Sequence, residues 1–73
     1  MGRDEPRIRR VLAKNVRRLR LARGLSQEAL AADAGLHQAL ISEIENEGSN
    51  PELDTLGRIA TALGARPRDL FED

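Results

Sequence analysis

Two short amphipathic segments flank a Gly35-Leu36 hinge near the middle of this chain, and a chain that carries such a pair must hold them by mutual packing at a steep angle. Between Ser26 and Glu45 the sequence reads SQEALAADAGLHQALISEIE. Ser26 is a good N-cap for a helix of about two turns, with Leu30, Ala31 and Ala34 inward and Gln27 exposed in the first turn. Gly35 suits the left-handed conformation that stops a helix. A second helix follows from about residue 37 to 46. Leu36, Leu40, Ile41 and Ile44 form its apolar stripe, and His37, Gln38, Ala39, Ser42, Glu43 and Asn46 are turned away.

The flanking sequence supplies helices for this pair to pack on. A helix start at Asp4-Glu5-Pro6 suits the acidic residues and early proline, and the helix runs to Gly24. Its buried face is Ile8, Val11, Leu12, Val16, Leu19 and Ala22. Gly48, Ser49, Asn50 and Pro51 read as a loop. A further helix spans about 52 to 63, with Leu53, Leu56, Ile59, Ala60 and Leu63 as its stripe, and stops at Gly64. A last turn, Pro67 to Phe71, can lay Leu70 and Phe71 over the core or into a partner. The expected architecture is one all-α domain of five helices over residues 1–73, with a basic N-terminal arm over about residues 1–10.

Composition narrows the function classes. The chain has 73 residues, 40% of them hydrophobic and 33% charged, so it folds around a modest aliphatic core for which pairing of subunits is a natural support. Phe71 is the one aromatic residue, which leaves little for stacking on single-stranded bases. There is no cysteine and His37 is the single histidine, so no disulfide framework and no protein metal site is expected. No glycine-rich phosphate loop or nucleophile-base pair supports an enzyme, and no cofactor is implied. The start, MGRDEPRIRR, lacks the apolar core of a secretory leader, and no apolar run is long enough to span a membrane. A cytoplasmic protein without a small-molecule ligand is the expectation.

The zero net charge hides a strong division. Residues 1 to 25 hold nine basic and two acidic side chains, a net of +7, whereas residues 26 to 73 hold three basic and ten acidic ones, a net of −7. The basic quarter can form a face that attracts phosphate, or simply a solvated helix surface.

Two helices across a tight glycine turn can place the second in a DNA major groove while the first crosses above it. On the second helix, Gln38 can pair bidentately with adenine and Ala39 can touch a thymine methyl. Glu43 can accept from cytosine or remain a solvated charge. Ser26 and Gln27 stand at a helix start whose free N–H groups suit a phosphate.

The chain resembles the phage-repressor-like (Xre, Cro-type) helix-turn-helix family of bacterial and phage transcriptional regulators over roughly residues 12 to 71. The pattern runs through Val16-Arg17, Leu19-Arg20, Gly24-Leu25-Ser26-Gln27-Glu28-Ala29-Leu30-Ala31 and Ala34-Gly35-Leu36. It continues as Ile41-Ser42, Ile44-Glu45, Asn50-Pro51, Leu56, Ile59-Ala60, Leu63 and Leu70-Phe71. The resemblance implies a five-helix domain that binds double-stranded DNA as a homodimer on a two-fold site. It further implies that Gln27 and Ser42 meet phosphates, that Gln38, Ala39 and Glu43 face bases, and that Arg20 and Glu45 pair to join the first and third helices. Three features differ from the pattern. His37 stands where Ser or Thr usually caps, and Glu47 stands where a glycine is common, with Gly48 one place later, so that a reshaped turn is expected there. The segment from His37 to Asn50 has no Lys or Arg. Positive charge is then expected from Arg17, Arg18 and the Arg3 to Arg10 stretch, with His37 able to meet a phosphate when protonated.

Leu53, Leu56, Leu70 and Phe71 are core by default and also candidates for a dimer interface. The expected activity is transcriptional regulation from a promoter, in the manner of restriction-modification controller proteins or phage-type repressors. The runner-up is a protein-interaction module, such as an antitoxin or coactivator-like adaptor, which the acidic third helix favours.

Overall fold

The structure, a computed structural model, describes residues 5–73; Arg3 and the rest of 1–4 lie outside the described residues. Four α-helices occur in order, α1 (Glu5–Ala22), α2 (Gln27–Ala34), α3 (Gln38–Glu45) and α4 (Leu53–Ala62), followed by a 3₁₀ turn, Pro67–Phe71. No strand is present among the described residues. The all-helical class therefore holds, and the fifth helix is a single 3₁₀ turn. Its shortness has a local cause. Pro67 brings no N–H, and the Asp69 carboxylate accepts from the Arg66 backbone N–H at 2.9 Å while the Asp69 N–H donates to the Arg66 carbonyl at 2.9 Å. That reciprocal pair closes the turn before an α-helical register can begin.

Helices of eight residues do not stand alone in water, so α2 and α3 owe their existence to the shared core. Leu12 and Val16 of α1, Leu30 and Ala31 of α2, Ile41 and Ile44 of α3, Ile59 and Ala60 of α4, then Leu63 and Leu70, form one buried cluster. The Ser26 hydroxyl caps α2 by accepting from the Ala29 N–H at 2.9 Å. Gly35 ends that helix at φ 69°, and the Leu36 N–H reaches back to the Ala31 carbonyl at 2.8 Å. The end of α3 repeats the geometry with a different residue. Glu47 takes φ 63°, and the Gly48 N–H bonds the Glu43 carbonyl at 2.8 Å. The turn is not reshaped around Gly48; a glutamate occupies the left-handed position.

Leu70 is fully buried, so it is core and no candidate for an interface. Leu53, expected in the inner stripe of α4, is 84% exposed, because it opens the helix at the lip of a groove between α2 and α4. Ile8 and Ala22 are exposed ends of the α1 stripe. At 18 residues, roughly 27 Å, α1 outruns the shorter helices packed on its middle. Arg7, Arg9 and Arg10 are turns of α1, not part of an arm, since Pro6 presets the backbone of its first turn.

A buried polar residue joins the first helix to the last turn. Asn15 donates from Nδ2 to the Leu70 carbonyl at 3.0 Å and to the Glu72 carbonyl at 2.8 Å. On the other side of the bundle, Arg23 Nη1 donates to the Leu63 carbonyl at 3.3 Å, a cation at the C-terminal end of α4.

Candidate nucleic-acid interface

The outer face of α3 presents Gln38, Ala39 and Glu43, all exposed, while Ile41 and Ile44 anchor the opposite face. His37 is the N-cap but its side chain makes no capping bond, which leaves the first amide N–H groups of α3 available at an exposed helix start. Ser42 is half-buried one turn further on. The Asn46 amide donates to the Ser42 carbonyl at 2.9 Å and reaches its hydroxyl at 3.4 Å, so the hydroxyl hydrogen is not consumed. Ser26 and Gln27 open α2 beside this face.

The α3 helix is fixed in place by a side-chain network running from α1. Arg20 and Glu45 form a two-pronged pair, with Nε to Oε2 at 2.7 Å and Nη2 to Oε1 at 2.9 Å, their side chains only 10% and 3% exposed. The remaining Arg20 nitrogen, Nη1, donates to the Leu25 carbonyl at 2.9 Å. Hydrogen bonding to Glu45 raises the Arg20 pKa further above its ordinary value, so the guanidinium stays charged. Removing one member of such a pair leaves the other buried and unmatched, typically at about 3–5 kcal/mol. The network continues outward. Gln27 Nε2 donates to Glu45 Oε1 at 3.2 Å, and Gln38 Nε2 donates to Gln27 Oε1 at 2.8 Å. Four side chains from three helices thus connect the core to the exposed start of α3.

This network also changes the electrostatics expected of α3. Glu45 is neutralised by Arg20, so the exposed negative charges beside the outer face are Glu43 and Glu47. Arg17 and Arg18, neighbours in sequence, diverge in space. Arg17 is exposed and lies one turn from Arg20, on the flank of α1 nearer Glu45. Arg18 turns to the opposite flank, where its Nη2 donates to Asn15 Oδ1 at 3.1 Å. The role of Asn15 is not evident from the sequence. Its one legible signal is an amide, poor in helix propensity, at a position flanking the apolar stripe of a long helix.

Grooves open on the bundle surface away from the outer face of α3. Ile8, Leu12, Pro51, Leu56 and Phe71, together with Arg9, Ser49 and Asn50, line a mainly apolar groove of about 290 Å³ between α1, the loop before α4 and the 3₁₀ turn. Ile8 is 51% and Phe71 43% exposed there. Leu53 belongs to the separate, more polar groove with Asp33, Asp54, Arg58 and Thr61. Among the described residues no helix is long and apolar enough to cross a membrane.

Comparison with known proteins agrees with this geometry. The helix-turn-helix family HTH_3 matches residues 16–70. Control protein C.BamHI of Bacillus amyloliquefaciens is 41% identical over 66 residues, covering 89% of this chain and 82% of its own length. The crystal structure of the restriction-modification controller protein C.AhdI from Aeromonas hydrophila superposes with a TM-score of 0.84 at 38% identity, covering 86% of this chain and 96% of that one. A hypothetical transcription factor from Neisseria, NHTF, superposes at 0.88 with 38% identity over 94% of this chain and 79% of its own. With α3 presented on a glycine-turned pair and the family pattern spanning the bundle, the chain belongs to the helix-turn-helix, Xre-type family of non-enzymatic, DNA-binding transcriptional regulators.

Proposed function

We propose that this chain reads a two-fold symmetric operator as a homodimer, each copy laying α3 in the major groove. Gln38, Ala39 and Glu43 meet base edges there, and Ser26, Gln27, Ser42 and His37 meet the flanking phosphates. Arg17 is the first-helix cation assigned to the backbone; Arg18, leaning on Asn15, lies further from it. The observation that carries the reading is the Gln38–Gln27 bond of 2.8 Å, which holds an exposed amide ready at the start of α3. An eight-residue helix spans roughly 12 Å and reaches only a few base pairs, so one copy reads half a site. The second copy is assigned to the Ile8–Leu56–Phe71 groove, which is more apolar than the groove beside Leu53.

The relatives named as control proteins favour a place at the promoters of a restriction-modification system, acting in the cytoplasm. The test is in vitro selection from a random duplex library at near-physiological salt. A symmetric consensus with half-sites about one helical turn, roughly 34–36 Å, apart is the expected result. No enrichment from folded protein overturns the proposal in favour of a protein partner for the Glu43-bearing face.

A further inference from the structure

The geometry points to a positioning role for the Arg20–Glu45 pair: through Gln27 it fixes which way round the Gln38 amide faces, and so sets the base preference of α3 without touching DNA. The inference rests on the proposed reading of α3 as the groove-bound helix, and it concerns the direction of hydrogen bonds along the network.

A carboxylate held by an arginine is ionised and can only accept. Glu45 is in that state, with both oxygens engaged by Arg20. Whatever side chain reaches Oε1 from α2 must therefore donate, and Gln27 turns its Nε2 toward it at 3.2 Å. An amide is a rigid plane with its donor and acceptor on opposite corners, so the Gln27 oxygen is then committed to the other side. It faces Gln38, which answers with its own Nε2 at 2.8 Å. The polarity set at the ion pair is thus passed through two amides to the surface.

At the DNA the polarity decides recognition. Bidentate pairing with adenine needs the amide oxygen opposite N6–H₂ and an amide N–H opposite N7. Gln38 in the observed orientation retains one N–H and its oxygen without partners among the described residues. Reversing the amide in place sets oxygen against N7 and NH₂ against N6–H₂, two repulsive pairings that exclude adenine. A free amide chooses its orientation to suit each base; one held by a relay cannot, and discrimination is sharper for it.

Replacing Glu45 by glutamine offers Gln27 a donor as well as an acceptor and removes the directional constraint. Since that change also weakens the contact to Arg20, a second variant, Gln27→Met, cuts the relay while leaving the ion pair whole. Both are compared with wild type and Gln38→Ala by fluorescence anisotropy on the selected duplex and on the three duplexes substituted at the base pair where Gln38→Ala loses its preference. Folding is verified by thermal melting. The expected result is a loss of roughly fivefold or more in preference at that base pair for both variants, with preferences elsewhere retained. Loss of a phosphate contact alone weakens all duplexes equally. Undiminished preference in folded Gln27→Met therefore overturns the relay while leaving the DNA reading intact, and a folded Glu45→Gln with undiminished preference does the same. Wild-type protein that prefers no duplex overturns both.

Discussion

Gln38 and Glu47 are both exposed residues of the α3 segment, and their backbones set different demands. Gln38 stands in the first helical turn, where the chain is unstrained and its amide is oriented by Gln27. Gln38→Ala is expected to cost about 1–3 kcal/mol on the best duplex and to relax one base position; anisotropy titrations that keep the wild-type preference would contradict this. Glu47 instead sits at φ 63°, where a side chain other than glycine is strained by roughly 1–2 kcal/mol. Glycine relieves the strain and gives back part of the gain as unfolded-chain entropy. Glu47→Gly should thus stabilise the fold by about 0.5–1 kcal/mol in urea denaturation, and an unchanged midpoint would mean that the turn has compensated elsewhere.

At the scale of elements, the helices were legible because a 3.6-residue period leaves a clear stripe, as in Leu36, Leu40, Ile41 and Ile44, and because Gly35 and Gly64 mark their ends. The 3₁₀ turn was legible only as a place. Five residues cannot show a period, so whether Leu70 faces the core or a partner is decided by Asn15, fifty-five residues away, drawing the Leu70 carbonyl inward. The relay was partly legible as separate residues, since each of its members is recognisable by type. Their connection was legible for Arg20 with Glu45, through the family resemblance, but not beyond it through Gln27 to Gln38, because that part depends on how three helices meet. Asp69 gives the turn a pH dependence. The Arg66 backbone N–H, first among its partners, holds the Asp69 carboxyl below the usual carboxylate value of 3.8. A lowered folded-state pKa means that the contribution is present above that value and is lost as pH falls through the lowered one. Acidification should loosen the Pro67–Phe71 turn first, and Asp69→Asn should flatten the acid limb of hydrogen exchange at the backbone amides of positions 69 and 70. Equal acid sensitivity in both proteins would assign the loosening to another carboxylate.

For the whole molecule, the division of charge along the chain becomes a division of surface. Nine of the twelve basic residues lie in the first 25 positions, and Arg17 stands one turn from the paired Arg20 and Glu45, so in the proposed complex attraction to phosphate comes from beside α3 while α3 supplies selection. Arg17→Ala should weaken all duplexes alike and reduce the slope of log affinity against log salt by about one unit. A loss confined to one sequence would instead make Arg17 a base reader. The apolar groove carries the other whole-molecule prediction. Ile8→Glu, at an exposed position of α1 outside the buried cluster, should shift the sedimentation of the proposed dimer to that of a monomer with the helical content retained. A dimer that survives would move the interface to the Leu53 groove. Asn15, finally, grips main-chain oxygens, which every residue type provides in the same form. The two bonds by which the first helix holds the last turn therefore ask nothing of the side chain at position 72, and a drift of sequence at Glu72 would leave both of them formed.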